Sequence, residues 1–228
     1  MFTIVTPMDK NRLEQFKNTK LAYDAMPQRK EFLIPTRTQF AVGDFLKLHN
    51  LEKDVRIIPY EHERGFNPSM ALNIGVRNAK CDNIIITSPE VRPSTDVLAQ
   101  FEESLGTNII CQVADESEDK QVHTVLVSKG YRDETPAMYF LALFNKFDIE
   151  KINGWDEEFM KGYAYEDNDF GERWKRAGIP FKVRDDIQGV HQYHPRSETI
   201  RGGLATNKIQ FDANNDKGIV KCEKGLHQ

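Results

Sequence analysis

The sequence predicts a single α/β domain, in which a Rossmann-like, mostly parallel central sheet is flanked by helices. Short apolar segments alternate with amphipathic ones through the first half of the chain, as in doubly wound sheets. Residues 84–86 are three consecutive isoleucines, a run typical of a central strand buried on both faces. The length of 228 residues suits one sizeable core, and no repeat or linker divides it.

Each predicted element of the first half begins or ends at a local signal. Pro7, Pro35 and Pro59 each follow or close an apolar strand, because proline cannot donate to a continuing ladder. Asn67 followed by Pro68 marks a helix start, with asparagine as the cap and proline in the first turn. The predicted strands are Phe2–Val5, 31–34, 55–58 and Asn83–Thr87, and the predicted helices begin near residues 9, 67 and 94, the last of them ending at Gly106.

The second half predicts shorter elements and a polar end. A helix over 166–177 would place Phe170 and Trp174 inward and end at Gly178. Residues 201–228 are polar with little periodicity, so we expect a domain over 1–200 followed by a mobile polar tail. The remaining predictions are strands at 108–113, 122–127 (an edge strand), 138–144 (or a turn of helix) and 181–183, with a solvated acidic loop at 115–119.

Composition excludes several classes of protein. The net charge of -4 and the pI of about 5.9 count against a protein that binds duplex nucleic acid. No apolar run has the length of a membrane span. The three cysteines lack metal-type spacing and indicate reduced thiols in a cytosol-like compartment. The first strand begins almost at Met1, which leaves no room for a signal peptide, so we expect a cytoplasmic protein.

The ends of the predicted parallel strands indicate where a ligand would bind. Ligands of such sheets lie at the carboxyl ends of the strands. Four polar or proline-containing segments follow strands in this way, and we expect one crevice to gather them. They are residues 6–7, 35–37, 59–60 and 88–90.

Glu90, His191 and His194 are candidate metal ligands. Glu90 follows a fully apolar strand, which places its carboxylate at the rim of the sheet, and a divalent cation there could neutralise the diphosphate of a sugar nucleotide. His191 and His194 are three residues apart and could face one ion. The alternative is that Glu90 is an ordinary turn carboxylate and that both histidines are hydrogen-bonded structural groups.

Asp167 is the candidate general base, with Glu166 beside it. A positioned carboxylate that accepts the proton of an attacking hydroxyl contributes about 10²–10⁴-fold to a rate. The alternative is that both carboxylates simply favour the first turn of a helix, where the dipole and unpaired amides stabilise negative charge. The two interpretations are compatible, because the helix start would also keep Asp167 ionised.

Aromatic and basic residues near these segments have two interpretations each. Trp155, Tyr163 and Tyr165 could stack on sugar faces or pack in the core. Arginines could pair with phosphate or remain solvated at the surface. These arginines are Arg64, Arg77, Arg92 and Arg196.

Taken together, three segments resemble the GT-A glycosyltransferases, in particular their β-1,4-galactosyltransferase-like and chondroitin-polymerase-like branch. Residues 66–75, Phe-Asn-Pro-Ser-Met-Ala-Leu-Asn-Ile-Gly, are similar to that group's Phe-Asn…Leu-Asn-Val/Ile-Gly helix. Residues 88–93, Ser-Pro-Glu-Val-Arg-Pro, stand in the place of the DxD metal motif and resemble the Asn-Pro-Asp-Val form of bacterial family 2 enzymes. Residues 154–159 and 163–170 resemble the Gly-Trp-Asp-Glu…Gly-Trp-Gly-x-Glu-Asp-x-Asp signature. The resemblance covers most of residues 2–197.

The resemblance implies a metal-dependent inverting glycosyltransferase. It would move one sugar from a nucleotide sugar, most commonly a UDP-sugar, to a glycan or related acceptor, as in polysaccharide biosynthesis. It implies that Asp167 is the base, that Glu166 orients the acceptor and that Tyr163 replaces an acceptor-stacking Trp. Glu90 with His191 or His194 would hold Mn²⁺ or Mg²⁺. The implied donor-binding residues are Thr6, Pro7, Arg37, Asn67, Asn73 and Ser88, and the implied acceptor-binding residues are Trp155, Tyr163 and Tyr165.

Three other functions are alternatives to this one. A retaining transferase would share the fold, although an amide is usual there at the position of Asp167. A catalytically degenerate module would bind glycan or nucleotide without turnover, and Ser88 in place of the first Asp of the metal motif motivates that alternative. A nucleotidyltransferase would need a Gly-rich loop after the first strand, and residues 6–9, Thr-Pro-Met-Asp, are not one.

Overall fold

The computed structural model describes residues 1–63, 65–127, 138, 140–162, 164–195 and 203–227, without the side chains of residues 123, 124 and 160. None of the helices in these ranges combines the length and the apolarity needed to cross a membrane. The strands are β1 (Phe2–Val5), β2 (Lys30–Thr36), β3 (Val55–Pro59), β4 (Asn83–Thr87), β5 (Val91–Pro93), β6 (Ile109–Glu116), β7 (Val122–Val127), β8 (Leu141–Asn145) and β9 (Lys182–His191). The helices are α1 (Leu13–Asp24), α2 (Gln39–Leu48), α3 (Pro68–Asn78), α4 (Val97–Glu102), α5 (Lys146–Lys151), α6 (Glu166–Arg176) and α7 (Gly203–Asp216).

The strands form one sheet in the order β3-β2-β1-β4-β8-β6-β9-β5, with β7 paired to β6. Strands β1 to β4 run parallel to one another, and β6 and β9 share their direction across the antiparallel β8. The short strands β5 and β7 run the other way. The predicted α/β class with a mostly parallel sheet is therefore confirmed.

Both faces of the sheet are buried, as the isoleucine run of β4 predicts. Ile85 lies in the apolar cluster on one face with helices α1, α2 and α4, whereas Ile84 and Ile86 lie in the cluster on the other face with α3, α5 and α6. The alternation follows from the two-residue period of a strand. Phe170 and Trp174 of α6 pack inward in the second cluster, as predicted.

Several boundaries differ from the sequence-based expectation. Strand β6 continues through Asp115 and Glu116, which were assigned to a solvated loop. Asp96, rather than residue 94 or 95, caps α4 through a bond from the Ala99 amide. Helix α2 was not predicted. At the start of α3 the cap is as expected, because the Asn67 side chain accepts a hydrogen bond from the Met70 amide.

The segment after residue 202 forms helix α7 and packs against the domain, where the sequence predicted a polar tail. Helix α7 buries Asn207 and Asn214, and the chain beyond it buries Cys222 and Leu226. The buried face of α7 is polar and is satisfied by hydrogen bonds, so it leaves no apolar periodicity in the sequence.

Candidate active site

A cavity of about 370 Å³ opens at the carboxyl ends of β1 and β4. Its wall combines the loop after β1, the start of α3, the turn after β4 and the segment that leads into α6. Helix α7 contributes one residue. The lining residues are Pro7, Met8, Asp9, Asn11, Arg12, Phe66, Asn67, Pro68, Ser69, Leu72, Thr87, Ser88, Pro89, Glu90, Phe159, Gly162, Ala164, Glu166 and Asn207.

Two of the four predicted strand ends reach this cavity, and the other two do not. Residues 7 and 88–90 line it, whereas residues 35–37 and 59–60 are not among its described lining residues. Asp9 lines the cavity and connects it to the end of β2. Its carboxylate accepts hydrogen bonds from the Thr36 hydroxyl and the Arg37 amide. Arg37, expected to contact the donor, therefore lies behind Asp9, with its Nη1 atom 3.9 Å from the carboxylate.

The predicted metal ligands lie together at the ends of β4 and β9. The Nε2 atom of His191 is 3.6 Å from Oε1 of Glu90, and the Nε2 atom of His194 is 3.7 Å from the same oxygen. One ligand atom from each of the three residues lies within 4.8 Å of the others. Glu90 lines the cavity, whereas His191 and His194 are not among its described lining residues, so the cluster adjoins the cavity through Glu90.

Two further residues hold this cluster in place. Asp115 of β6 lies with Oδ1 3.0 Å from Nδ1 of His191, so Nδ1 carries the shared proton and Nε2 faces Glu90. A carboxylate in this position orients a ligating histidine and fixes its tautomer. Gln192 donates from its side chain and its backbone amide to the Glu90 carbonyl, at 3.1 and 2.9 Å, and so ties the two ligand segments together.

The donor set fits a divalent ion. Ligand atoms about 2.0–2.2 Å from one ion lie roughly 3–4 Å apart, close to the separations found here. Oε2 of Glu90 is buried and accepts no hydrogen bond from any described residue, so it can take a further ligand. Burial acts to raise the pKa of Glu90, but the contacts with His191 and Arg12 outweigh it and leave that pKa below its ordinary value. The carboxylate is therefore charged at neutral pH.

Asp115→Ala is expected to weaken Mn²⁺ binding by about 10–100-fold, because His191 loses the carboxylate that orients it. Titration calorimetry of the purified protein with Mn²⁺ measures this directly. Glu118→Ala removes an exposed carboxylate from the following turn and should leave the affinity unchanged. Equal Mn²⁺ affinity in the Asp115→Ala variant and the parent would contradict the assignment.

Glu166 and Asp167 open helix α6, and Glu166 lines the cavity. Glu166 is 7% exposed, whereas Asp167 is half-buried and is not among the described lining residues. The two preceding residues, Ala164 and Tyr165, are left-handed, with φ of 59° and 70°. Such residues cost about 1–3 kcal/mol each and concentrate at functional sites. Glu166, which directly follows this strained turn, lines the cavity.

Burial makes both carboxyls of the pair weaker acids. Burial raises the pKa of Glu166, and the charge of Asp167 raises it further. Burial also raises the pKa of Asp167, although backbone N–H groups lower it in part. The amides at the helix start lower the pKa of Asp167, as expected, but burial is the larger effect and raises this pKa to about 6. The pair therefore takes up a proton at higher pH than ordinary carboxylates do.

Two predicted binding residues are buried and are not among the described lining residues of the cavity. Asn73, expected to contact the donor, is fully buried. Its side chain accepts a hydrogen bond from the Trp155 amide at 2.9 Å and donates to the Trp155 carbonyl at 2.8 Å and to Glu157 at 2.9 Å. Trp155, expected to stack on the acceptor, is fully buried and stacks on Phe170 at 4.1 Å between ring centroids. The hydrogen bonds of Asn73 connect the turn at Gly154 to α3. The two are so close that a Cβ at Gly154 would lie 2.3 Å from the Asn73 side chain.

The remaining predicted residues are divided among the cavity, its surroundings and the undescribed part of the chain. Pro7, Asn67 and Ser88 line the cavity, and the Nδ2 atom of Asn67 is buried there without a described partner. Thr6 is buried behind Pro7, and Tyr165 contacts Phe211 at 5.4 Å between ring centroids. Arg77 donates hydrogen bonds to the carbonyls of residues 225 and 226. Tyr163, Arg64 and Arg196 lie outside the described residues.

Sequence reasoning missed Arg12, Asp115 and Asn207. Arg12 lies with Nε 3.8 Å from Oε2 of Glu90 and lines the cavity. Asp115 is in an acidic stretch that resembles a solvated loop, and no local signal marks its contact with a histidine 76 residues later. Asn207 lies in a segment without apolar periodicity. Only the sheet register and helix packing bring these residues to the site.

The fold is similar to that of the GT-A glycosyltransferases. TarS 1-349 from S. aureus, solved in complex with UDP-GlcNAc, superposes with a TM-score of 0.74 at 10% identity. The mannosyltransferase PcManGT from Pyrobaculum calidifontis, solved with GDP-Man and Mn²⁺, superposes with a TM-score of 0.63 at 17% identity. At these identities the likeness establishes the fold.

This chain matches part of each relative. The alignments cover 99% of this chain and 68% of the TarS chain, and 95% of this chain and 64% of PcManGT. In sequence, the uncharacterized glycosyltransferase YfnE of Bacillus subtilis (strain 168) is 33% identical over 85 residues, which are 34% of this chain and 21% of YfnE. No family model matches the chain. The narrower resemblance to β-1,4-galactosyltransferases and chondroitin polymerases stays a prediction.

Proposed function

We propose that this chain is a metal-dependent inverting glycosyltransferase, which moves one sugar from a nucleotide sugar to a hydroxyl of a glycan or related acceptor. The observation that carries the proposal is that Glu90 of the Glu/His/His cluster and Glu166 of α6 line the same cavity. Sugar transfer needs a charge to neutralise the leaving diphosphate and a base for the attacking hydroxyl. The complexes of TarS and PcManGT with UDP-GlcNAc and GDP-Man support a nucleotide-sugar donor.

Glu90, His191 and His194 are proposed to hold the cation. A bound divalent ion would supply charge neutralisation at the diphosphate. Two imidazoles with one carboxylate are a softer donor set than Mg²⁺ prefers, so Mn²⁺ is the proposed ion. The Mn²⁺ in the PcManGT complex agrees with this choice. Arg12, beside Glu90 in the wall, adds a second positive charge where the diphosphate would lie.

Asp167 is proposed as the base and Glu166 as the residue that orients the acceptor. Burial raises the pKa of both, and Glu166 is raised further by the charge of Asp167, so Glu166 holds its proton to higher pH. A carboxyl that stays protonated can donate a hydrogen bond, whereas the one that ionises first can accept a proton. The proposal requires the Asp167 carboxylate to reach an acceptor in the cavity next to Glu166.

A catalytically degenerate binding module is the second candidate. One observation favours it: the turn 88–90 supplies a single carboxylate, with serine at the first position. Such a module would bind a nucleotide sugar in the same cavity without turnover. A retaining transferase on the same fold differs from the main proposal in the anomeric configuration of its product.

Release of nucleotide from UDP-GlcNAc, UDP-galactose and GDP-mannose tests the proposal. We expect release with Mn²⁺, weaker release with Mg²⁺ and none with chelator. Glu90→Gln should abolish Mn²⁺-dependent release, whereas Glu118→Gln should not change it. A nucleotide sugar that raises the melting temperature without being consumed supports the module. The anomeric configuration of the product, read by NMR, separates inversion from retention.

A further inference from the structure

Asn207 of α7 lies in the cavity wall, but the proposed function gives it no role in donor binding, metal binding or proton transfer. It is 1% exposed, and its Nδ2 group donates to the carbonyl of Phe159 at 2.9 Å and to the carbonyl of Ala164 at 2.7 Å. Both hydrogens of one amide are therefore used to bridge the two ends of the segment that leads into α6. A hydroxyl, with one hydrogen, cannot do this.

The segment that Asn207 holds is strained. Ala164 and Tyr165 are both left-handed and immediately precede Glu166. Strain of this kind persists only where surrounding contacts overdetermine the conformation. The bond from Asn207 to the Ala164 carbonyl is such a contact, at the first of the two strained residues. A second such contact is made by the Tyr165 ring, which packs against Phe211 of α7.

Helix α7 approaches the segment before α6 closely, and residues on both sides make this contact possible. A Cβ at Gly162 would lie 2.3 Å from the Asn207 side chain and 2.4 Å from the Gly203 carbonyl, so only glycine allows this contact. Asn214, two helical turns further on, donates to Asp169 of α6 at 2.7 Å and to Asp156 at 3.3 Å. One face of α7 therefore forms hydrogen bonds both with the segment before α6 and with α6.

We propose that Asn207 is a positioning residue, which holds the strained turn at 164–165 so that Glu166 and Asp167 face the acceptor. The inference rests on the proposed function. Asn207 does not touch the Glu/His/His cluster, so its loss should misplace the carboxylate pair and leave metal and donor binding intact. Misplacement of a reacting group by about 1 Å can cost about 100-fold in rate.

Asn207→Ala tests this inference in the full chain. We expect kcat to fall about 10–100-fold, with the donor KM and the Mn²⁺ affinity near those of the parent. The acid limb of the kcat profile should also move, because the surroundings of the carboxylate pair change. Asn207→Ser, which keeps one donor, should lie between the parent and Asn207→Ala.

Asn108→Ala is the matched control. Asn108 is also a buried asparagine, and its amide donates to Asp148 at 2.8 Å and to Pro180 at 3.1 Å at the opposite rim of the sheet. Its loss should lower the melting temperature and leave kcat and its pH profile unchanged. Thr206→Ala, at an exposed neighbour on α7, should change nothing.

Hydrogen exchange separates this inference from the proposed function. Amides of the peptide that contains residues 164–166 should exchange faster in Asn207→Ala than in the parent, with no change there in Asn108→Ala. This readout needs no activity, so it still decides the role of Asn207 if the parent releases no nucleotide. Unchanged exchange in that peptide, or a kcat loss equal to that of Asn108→Ala, would overturn the inference.

Discussion

Asp167→Asn is expected to lower the rate of sugar transfer by about 10²–10⁴-fold, the contribution typical of a positioned general base. An amide has nearly the same shape as the carboxylate but cannot accept the proton of the attacking hydroxyl. The measurement is nucleotide release at saturating donor with Mn²⁺. Because burial already makes the Asp167 charge costly, the neutral variant should fold at least as stably, and circular dichroism and the melting temperature check this.

The neighbouring variant Glu166→Gln distinguishes the two carboxylates. Glutamine can still donate a hydrogen bond to an acceptor, so we expect a smaller loss, mostly in the acceptor KM. A loss in Glu166→Gln that exceeds the loss in Asp167→Asn would transfer the role of base to Glu166, which is the member of the pair that lines the cavity.

The pH profile of the parent follows from the raised pKa of Asp167. A base works when deprotonated, so activity should fall as the pH falls through that raised pKa. The acid limb should therefore lie above the ordinary range of an aspartate, about 3.9. This limb should be absent from the residual activity of Asp167→Asn. An acid limb that is identical in both proteins would assign it to another group.

Arg173→Met is expected to destabilise the protein by about 3–5 kcal/mol, the cost of breaking a buried ion pair from one side. Arg173 and Asp169 are both fully buried on α6, with Nε 2.6 Å from Oδ2. The Nη1 group of Arg173 also donates to the carbonyls of Ile152 and Gly154, at 2.8 and 2.9 Å. Methionine fills the space but leaves Asp169 charged and both carbonyls without this donor.

Chemical unfolding of Arg173→Met and Lys175→Met gives the comparison. Lys175 pairs with Glu172 on the same helix at 3.4 Å, but both side chains are about one-third exposed, so its loss should cost about 0–1 kcal/mol. Replacing Asp169 by leucine in addition to Arg173→Met should restore part of the stability, because no unpaired charge remains. Equal effects of Arg173→Met and Lys175→Met would show that the buried pair contributes little.

Local signals of this sequence predicted several elements whose burial is apolar, although helix α2, which buries Val42 and Leu46, was missed. The isoleucines of β4, the cap at Asn67 and the inward Phe170 and Trp174 were each read correctly, because apolar periodicity and capping are local properties. Helix α7 was missed for the complementary reason. Its buried face consists of asparagines held by hydrogen bonds, which have no hydrophobic period.

The same distinction applies to the site. The position of Glu90 after an apolar strand and the spacing of the two histidines, taken together with the family resemblance, predicted that the three residues meet. The residues that hold them were not predictable, because Asp115 and Gln192 act across strand pairs that the sequence does not specify. Asn73 and Trp155 are buried in the structure, and the sequence could not show this because a polar or aromatic residue in a motif looks the same whether it contacts ligand or core.

By itself the sequence determined the α/β class, two of the strand ends that line the cavity and the residue types that could carry the chemistry. The tertiary structure alone decided which of them share a wall: Glu90 and Glu166 do, whereas Asn73 and Trp155 are locked in the interior. The physical reason is that propensity and periodicity act within a few residues, whereas sheet order and helix packing bring together groups more than 70 residues apart, such as Glu90 and Glu166.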